Sequence, residues 1–256
     1  MDYLRLQNLF QAEGRRLAES AAAGLDTPVP SCPGWTVADV VGHTGSVFST
    51  AAEWLRLGRR PEGSGDTALI TGPTSGVTIA SDPVPKTDVL AWYGDALARL
   101  RIEFDRRDPA RPHFAGEDDG AVDFWYRRLA HEAAMHRTDV ELAVGTPAPI
   151  AVDLAVDGID EALRVLLPLR YDASGFDAAV GRTVGVHAHH HNWRLTLHRD
   201  AVEVSRLPGF TDAAVRGEPE DLLLYLWGRR PGTVVSRTGD FTVLAAFRRC
   251  LARSMV

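Results

Sequence analysis

Apolar residues in the first half of the chain recur with a period near 3.6. In MDYLRLQNLFQAEGRRLAES, residues Leu4, Leu6, Leu9, Phe10 and Leu17 mostly share one face of a predicted first helix. The loop GLDTPVPSCPGW, with three prolines, separates it from a second helix predicted over Thr36 to Leu57. Thr36 is the expected N-cap, with Asp39 three residues on as a short form of the capping box. Trp35 and Val40 stand at the hydrophobic-staple positions beside it. From Pro61 to Pro85 the chain is rich in Gly, Pro, Ser and Thr and reads as a long loop or lid. A third helix is expected from about Thr87 to Arg106, with Leu90, Leu97 and Leu100 on one side. The connector DPARPHFAGEDDG leads to a fourth helix at 121–144. No strand-like alternation interrupts these elements, which predicts a four-helix bundle.

The pattern changes after GTPAP, residues 145–149. A helix is expected from Ala151 to Leu167, and then TVGVHAH, NWRLTLHRD and AVEVSRL alternate with period 2 as three short strands. EPEDLLLYLWGRR reads as a helix, TVVSRTGD as a strand and FTVLAAFRRCL as a closing helix. The predicted class is therefore α+β: a helical bundle over 1–148 and a separate small α+β domain over 149–256. There is no internal repeat and no low-complexity tract.

Composition narrows the function classes. At 256 residues, with 45% hydrophobic and 24% charged residues, the chain is ordinary for a globular protein. No apolar run approaches the roughly 18 residues of a membrane span. The N-terminal stretch is charged throughout and lacks a signal-peptide core, so a cytoplasmic location is expected. Net charge is −6 with the arginines dispersed, which gives no electrostatic footprint for nucleic acid. Cys32 and Cys250 lie far apart, so neither a disulfide nor a zinc ribbon is expected.

The richest chemistry lies in HEAAMHRTD, residues 131–139. The zinc-protease pattern H-E-x-x-H has histidines four apart, whereas His131 and His136 are five apart. On a helix that spacing separates them by about 140°, too far to share an ion easily. Glu132 and His136, four apart, project side by side at about 40°. A metal site needs a further ligand from a facing helix. His43 is available in WTVADVVGHTG, among Val40, Val41 and Val47, with Gly42 and Gly45 permitting close backbone approach. Two histidines and a carboxylate form a common catalytic zinc set with a fourth position left for water or substrate. Asp139 either orients a ligand or faces solvent. The residues alone leave open the plainer reading, a core histidine and a chance Glu-x-x-x-His pair.

Other features carry alternatives of the same kind. HAHHHN, 187–192, is either a metal-binding tract or a solvated hairpin where one strand turns into the next. Cys32 is either a thiol of lowered pKa near a helix N-terminus or a small packed residue. Arg229 and Arg230 in LWGRRP either clamp a carboxylate or end a helix in solvent. Phe124, Trp125 and Tyr126 read as bundle core. No G-x-S-x-G, P-loop or dinucleotide-binding glycine pattern is present.

Three segments together, VPSCPGWTVADVVGHTG, RRLAHEAAMHRTDVELAVG and RGEPEDLLLYLWGRRP, resemble the mycothiol-dependent maleylpyruvate isomerase family. That family belongs to the wider DinB-like metal-binding bundles and occurs mainly in actinobacteria. The resemblance covers nearly the whole chain in the family's order. PGW, a histidine eight residues after the Trp and a late Glu-x-x-x-His make a fairly specific combination. The resemblance implies a DinB-like four-helix bundle with a small C-terminal domain, and zinc on His43, Glu132 and His136, with His131 not a ligand. Another divalent metal suits the same donors. It further implies mycothiol as thiol cofactor or co-substrate, at the open metal position, and a small electrophile as substrate. Cis–trans isomerisation or S-transfer is the expected reaction, and Arg229 is assigned to an anionic group. The HAHHHN turn departs from the Thr/Asp-rich turn expected there. Two other readings are a non-enzymatic metal-binding or regulatory module and a zinc hydrolase that needs no thiol. No membrane or nucleic-acid partner is expected, and the chain is read as a monomer or homodimer.

Overall fold

In a computed structural model of the chain, residues 1–58, 88–107, 122–169, 171, 177–207 and 209–254 are described, and the structural statements below concern them. The expected loop at 61–85 and connector at 108–120 lie outside these residues. The chain divides into two compact units, Met1–Ala148 and Pro149–Val256. Among the described residues no helix is long and apolar enough to cross a membrane.

The first unit is built from α1 (Tyr3–Ala21), α2 (Val37–Leu57), α3 (Val89–Asp105) and α4 (Val122–Val144). Asp2 caps α1 by accepting from Arg5 N at 2.8 Å, and Leu6, Leu9, Phe10, Leu17 and Ala21 form its buried face. Leu4 falls off that face and stays 54% exposed. At the start of α2 the capping box is complete. Thr36 and Asp39 each accept from the other's backbone N–H, and Gly58 closes the helix in the left-handed region at φ 65°. In α3 the buried stripe is Val89, Tyr93, Ala96, Leu100 and Phe104, whereas Leu90 and Leu97 flank it half-buried. The tertiary partner, not the leucines, sets which face turns inward.

Helix α1 packs on α4 and α2 on α3, with α2 also touching α4. Phe10 meets Phe48 and Phe104 edge-on, at ring distances of 5.1 and 5.7 Å, and Phe104 stacks on Tyr126 at 3.8 Å. Gly45 is required at the α2–α3 contact: a Cβ there would stand 2.3 Å from the Trp92 ring. From Arg128 to Glu141 every residue of α4 is buried, eight of them polar or charged: Arg128, His131, Glu132, His136, Arg137, Thr138, Asp139 and Glu141. A central helix with that content has to satisfy its polar groups internally.

The second unit begins with α5 (Val152–Glu161), which passes through a π-helical stretch at Ala162–Leu166 into the short α6 (Leu167–Leu169). The single helix expected from Ala151 to Leu167 is thus interrupted by a change of hydrogen-bond pitch. Five strands follow: β1 (Thr183–Ala188), β2 (His191–Leu197), β3 (Val202–Ser205), β4 (Ala213–Gly217) and β5 (Ser236–Gly239), in the order β3-β2-β1-β4-β5. All neighbours are antiparallel except β1 and β4. Val184, Val186, Trp193, Leu195, Ala213 and Val215 make one buried face, as register pairs Val184 with Leu195 and Ala213, and Val186 with Trp193 and Val215. Helices α7 (Pro219–Leu226) and α8 (Phe241–Ser254) pack on β4. Strand β4 was not anticipated; its two alanines and an arginine are weak strand formers. Asp212 fixes it instead, accepting from Thr183 N at 2.7 Å and Thr183 Oγ1 at 2.8 Å. Helical bundle and mixed sheet together make the chain α+β.

Candidate metal centre

Helix α4 presents Glu132 and His136 on one face, one turn apart, and α2 brings His43 against them. His43 Nε2 lies 3.3 Å from Glu132 Oε1, and His136 Nε2 lies 3.1 Å from the same oxygen. One donor atom from each of the three residues falls within 4.8 Å of the other two, as expected of atoms able to share one cation. The imidazoles meet edge-to-face at 5.2 Å between ring centres. Glu132 and His136 are buried, while His43 keeps partial exposure and packs its ring at 5.3 Å from Trp35 of the PGW turn.

Each α4 donor is held from behind. Asp139, 0% exposed, places Oδ2 at 3.1 Å from His136 Nδ1. It also accepts from Ser31 Oγ at 2.6 Å and from Cys32 Sγ at 3.7 Å, so the proline-rich loop is tied to α4. Of the two alternatives for Asp139, exposure to solvent does not hold: the carboxylate is buried against the His136 ring. With Nδ1 turned to the carboxylate, Nε2 is the nitrogen that faces Glu132. On the other side Arg128 donates from Nη2 to Glu132 Oε2 at 2.6 Å.

Burial opposes ionisation of Glu132. His136, its hydrogen bond, the contact with His43 and the Arg128 charge outweigh that penalty and hold the carboxyl well below the usual range. For His136 burial disfavours the cation. The Glu132 charge and the hydrogen bonds to Asp139 and Glu132 prevail and raise it to about 9. The cluster therefore demands positive charge at its centre, which a proton on His136 or a metal ion on the same lone pair supplies.

The remaining expected residues sit elsewhere. His131 is buried on α4 and is not one of the three converging donors. Cys32 is buried, with its thiol on Asp139. In the second unit, Arg229 donates from Nη1 to Trp227 O at 2.9 Å and stands 5.7 Å from the centre of the Trp227 ring. Arg230 pairs with Asp221 and Glu220. HAHHHN forms the β1–β2 turn: His189, at φ 50°, contacts Glu218 at 2.7 Å, and His187 contacts Asn192 at 2.7 Å. Among the described residues those histidines do not converge as a three-donor group. Sequence reasoning missed Arg128 and Ser31. The i, i+4 spacing of Arg128 and Glu132 was the available signal, blurred by Arg127 next to it.

Comparison with known proteins adds a separate line of observation. The model of the mycothiol maleylpyruvate isomerase N-terminal domain matches residues 8–141, and that of the MDMPI C-terminal domain matches residues 153–246. No curated protein matches the sequence. Among solved structures, a mycothiol-dependent maleylpyruvate isomerase is similar at TM-score 0.58 and 12% identity, over 93% of each chain. A histidine-to-alanine mutant of that isomerase gives the same values. At that identity the likeness is one of fold.

Proposed function

The chain belongs to the mycothiol-dependent maleylpyruvate isomerase family, and from that premise we propose that it is a zinc enzyme that uses mycothiol on a small electrophilic substrate, as a cis–trans isomerase or S-transferase. The observation that supports this most directly is the convergence of His43 Nε2, Glu132 Oε1 and His136 Nε2. Two neutral imidazoles and one carboxylate suit zinc at a catalytic centre, and the outer contacts of Asp139 and Arg128 are those such ligands need. Bound zinc would supply the charge that ionises a thiol near neutral pH, and the thiol a nucleophile for reversible addition to a conjugated cis double bond or for displacement at an electrophilic carbon.

The chain's own residues have distinct parts in this reading. His43, Glu132 and His136 hold the ion. Asp139 accepts the Nδ1 proton of His136 and so keeps the Nε2 lone pair directed at the ion. Trp35 packs its ring edge-on against His43, at 5.3 Å between ring centres. Arg229 is assigned an anionic group of the thiol or the substrate, by resemblance to the family. Asp139 and Cys32, the residues able to close the site as a fourth ligand, are engaged with each other, and Asp139 meets His136 on Nδ1. That arrangement favours an open catalytic position over a closed structural one.

Metal analysis combined with calorimetric titration of mycothiol tests the proposal. Purified protein is expected to hold one zinc and bind mycothiol, and His43→Ala to lose both. Full zinc content in His43→Ala would refute the ligand set. Zinc without mycothiol binding, with activity independent of added thiol, would turn the assignment to a hydrolase.

A further inference from the structure

The two oxygens of Glu132 are treated differently. Oε1 faces both histidines, at 3.3 and 3.1 Å, whereas Oε2 accepts from Arg128 Nη2 at 2.6 Å. Arg128 stands one turn before Glu132 on the same helix and is 1% exposed. A charge-assisted hydrogen bond removed from water is strong and fixed in direction. Arginine also does not give up its proton inside a protein, so the guanidinium remains a charged donor whatever is bound next to Glu132.

We infer that Arg128 is a positioning residue that restricts Glu132 to one ligating oxygen and thereby keeps a coordination position of the ion free for an exogenous donor. The inference rests on the metal reading above and adds a control over coordination number. A carboxylate without such restraint can ligate through one oxygen or both. Two imidazoles and a chelating carboxylate supply four donors and complete a tetrahedral set. Two imidazoles and a single oxygen supply three and leave one place. Which of these forms is decided by what holds the second oxygen, and here a buried guanidinium holds it.

Cobalt(II) in place of zinc makes the coordination visible, with 2-mercaptoethanol as the exogenous thiol. Cobalt-loaded wild-type protein is expected to show intense visible bands and, on adding the thiol, a near-ultraviolet thiolate-to-cobalt charge-transfer band reaching one thiol per cobalt. In Arg128→Met the freed oxygen adds to the ion. Either the visible bands weaken severalfold as a fifth donor enters, or the charge-transfer band is lost because the fourth place is filled. Should Arg128→Met fail to fold by circular dichroism, Arg128→Leu, which likewise has no N–H donor, is measured in its place with the same expectation. Arg128→Lys, which keeps an N–H donor for Oε2, is expected to retain the wild-type signals in part. A folded Arg128→Met or Arg128→Leu with both signals as in wild type overturns the inference. A wild-type protein that takes up no cobalt overturns the metal reading itself and the inference with it.

Discussion

Two clusters of buried polar side chains hang from α4, one shared with α1 and the other with α2, and they are built on opposite plans. Toward α1, Arg137 donates from Nε to Glu13 at 2.6 Å and from Nη1 to Glu141 at 2.8 Å and to the Ala148 carbonyl at 2.6 Å. Glu141 in turn accepts from Arg16, and from Ala148 N at 2.9 Å. Two arginines face two glutamates there, and each of these contacts joins a donor to an acceptor. Toward α2, the atoms that converge are two imidazole nitrogens and a carboxylate oxygen, all of them lone-pair donors. The first cluster completes itself and ties the end of the unit, at Ala148, to α4. The second is completed by something positive. Burial of charge is common to both, so it is the matching of donors to acceptors that separates a structural staple from a site.

Breaking the self-sufficient cluster should have the largest effect. Arg137→Met leaves Glu13 without its arginine and takes one of the partners of Glu141, and is expected to cost about 3–5 kcal/mol of stability, read as a lowered urea midpoint that added zinc does not restore. A loss below 1 kcal/mol would show that the staple is not closed in solution. Loosening the other cluster should act on the metal more than on the fold. Asp139→Asn keeps the side chain's shape but weakens its hold on His136 Nδ1, and zinc affinity by chelator competition is expected to fall about 10- to 100-fold. Unchanged affinity would return Asp139 to a purely packing role. Smallest is Thr36→Ala, which removes the cap of the helix that carries His43. It should lower stability by about 1 kcal/mol while leaving zinc affinity within a small factor of wild type. A large drop in zinc affinity there would mean that the cap, not the packed interior, places His43.

These contrasts also mark what could be read in the sequence. Helices α1 to α4, the Thr36 cap and the β1–β2–β3 run were legible because each is encoded by local period or local chemistry. Glu132 and His136 were legible for the same reason, being neighbours on one helix. His43 needed a tertiary guess, supported by the glycines around it, and the three donors do meet. The Arg137 staple was invisible, since Glu13 and Arg137 are 124 residues apart and each alone resembles a solvated charge. Strand β4 was missed because its pairing with β1 is non-local and Ala213 and Ala214 carry no strand preference. The Ser31–Asp139 contact, spanning 108 residues, belongs to the same class.

Helix α4 has one more consequence, for recognising distant kin. Arg128, Glu132, His136 and Asp139 fall within twelve consecutive residues, at spacings of four, four and three. A short string, R-x-x-x-E-x-x-x-H-x-x-D, therefore specifies most of the centre, and only His43 must be recruited from elsewhere in the chain. On the metal reading proposed above, chains that keep that string can be sorted from those that retain the bundle without the ligand set. A single inserted residue between Arg128 and Asp139 would rotate one part of the string by about 100° relative to the other, so a relative with such a register shift should be counted among the second kind.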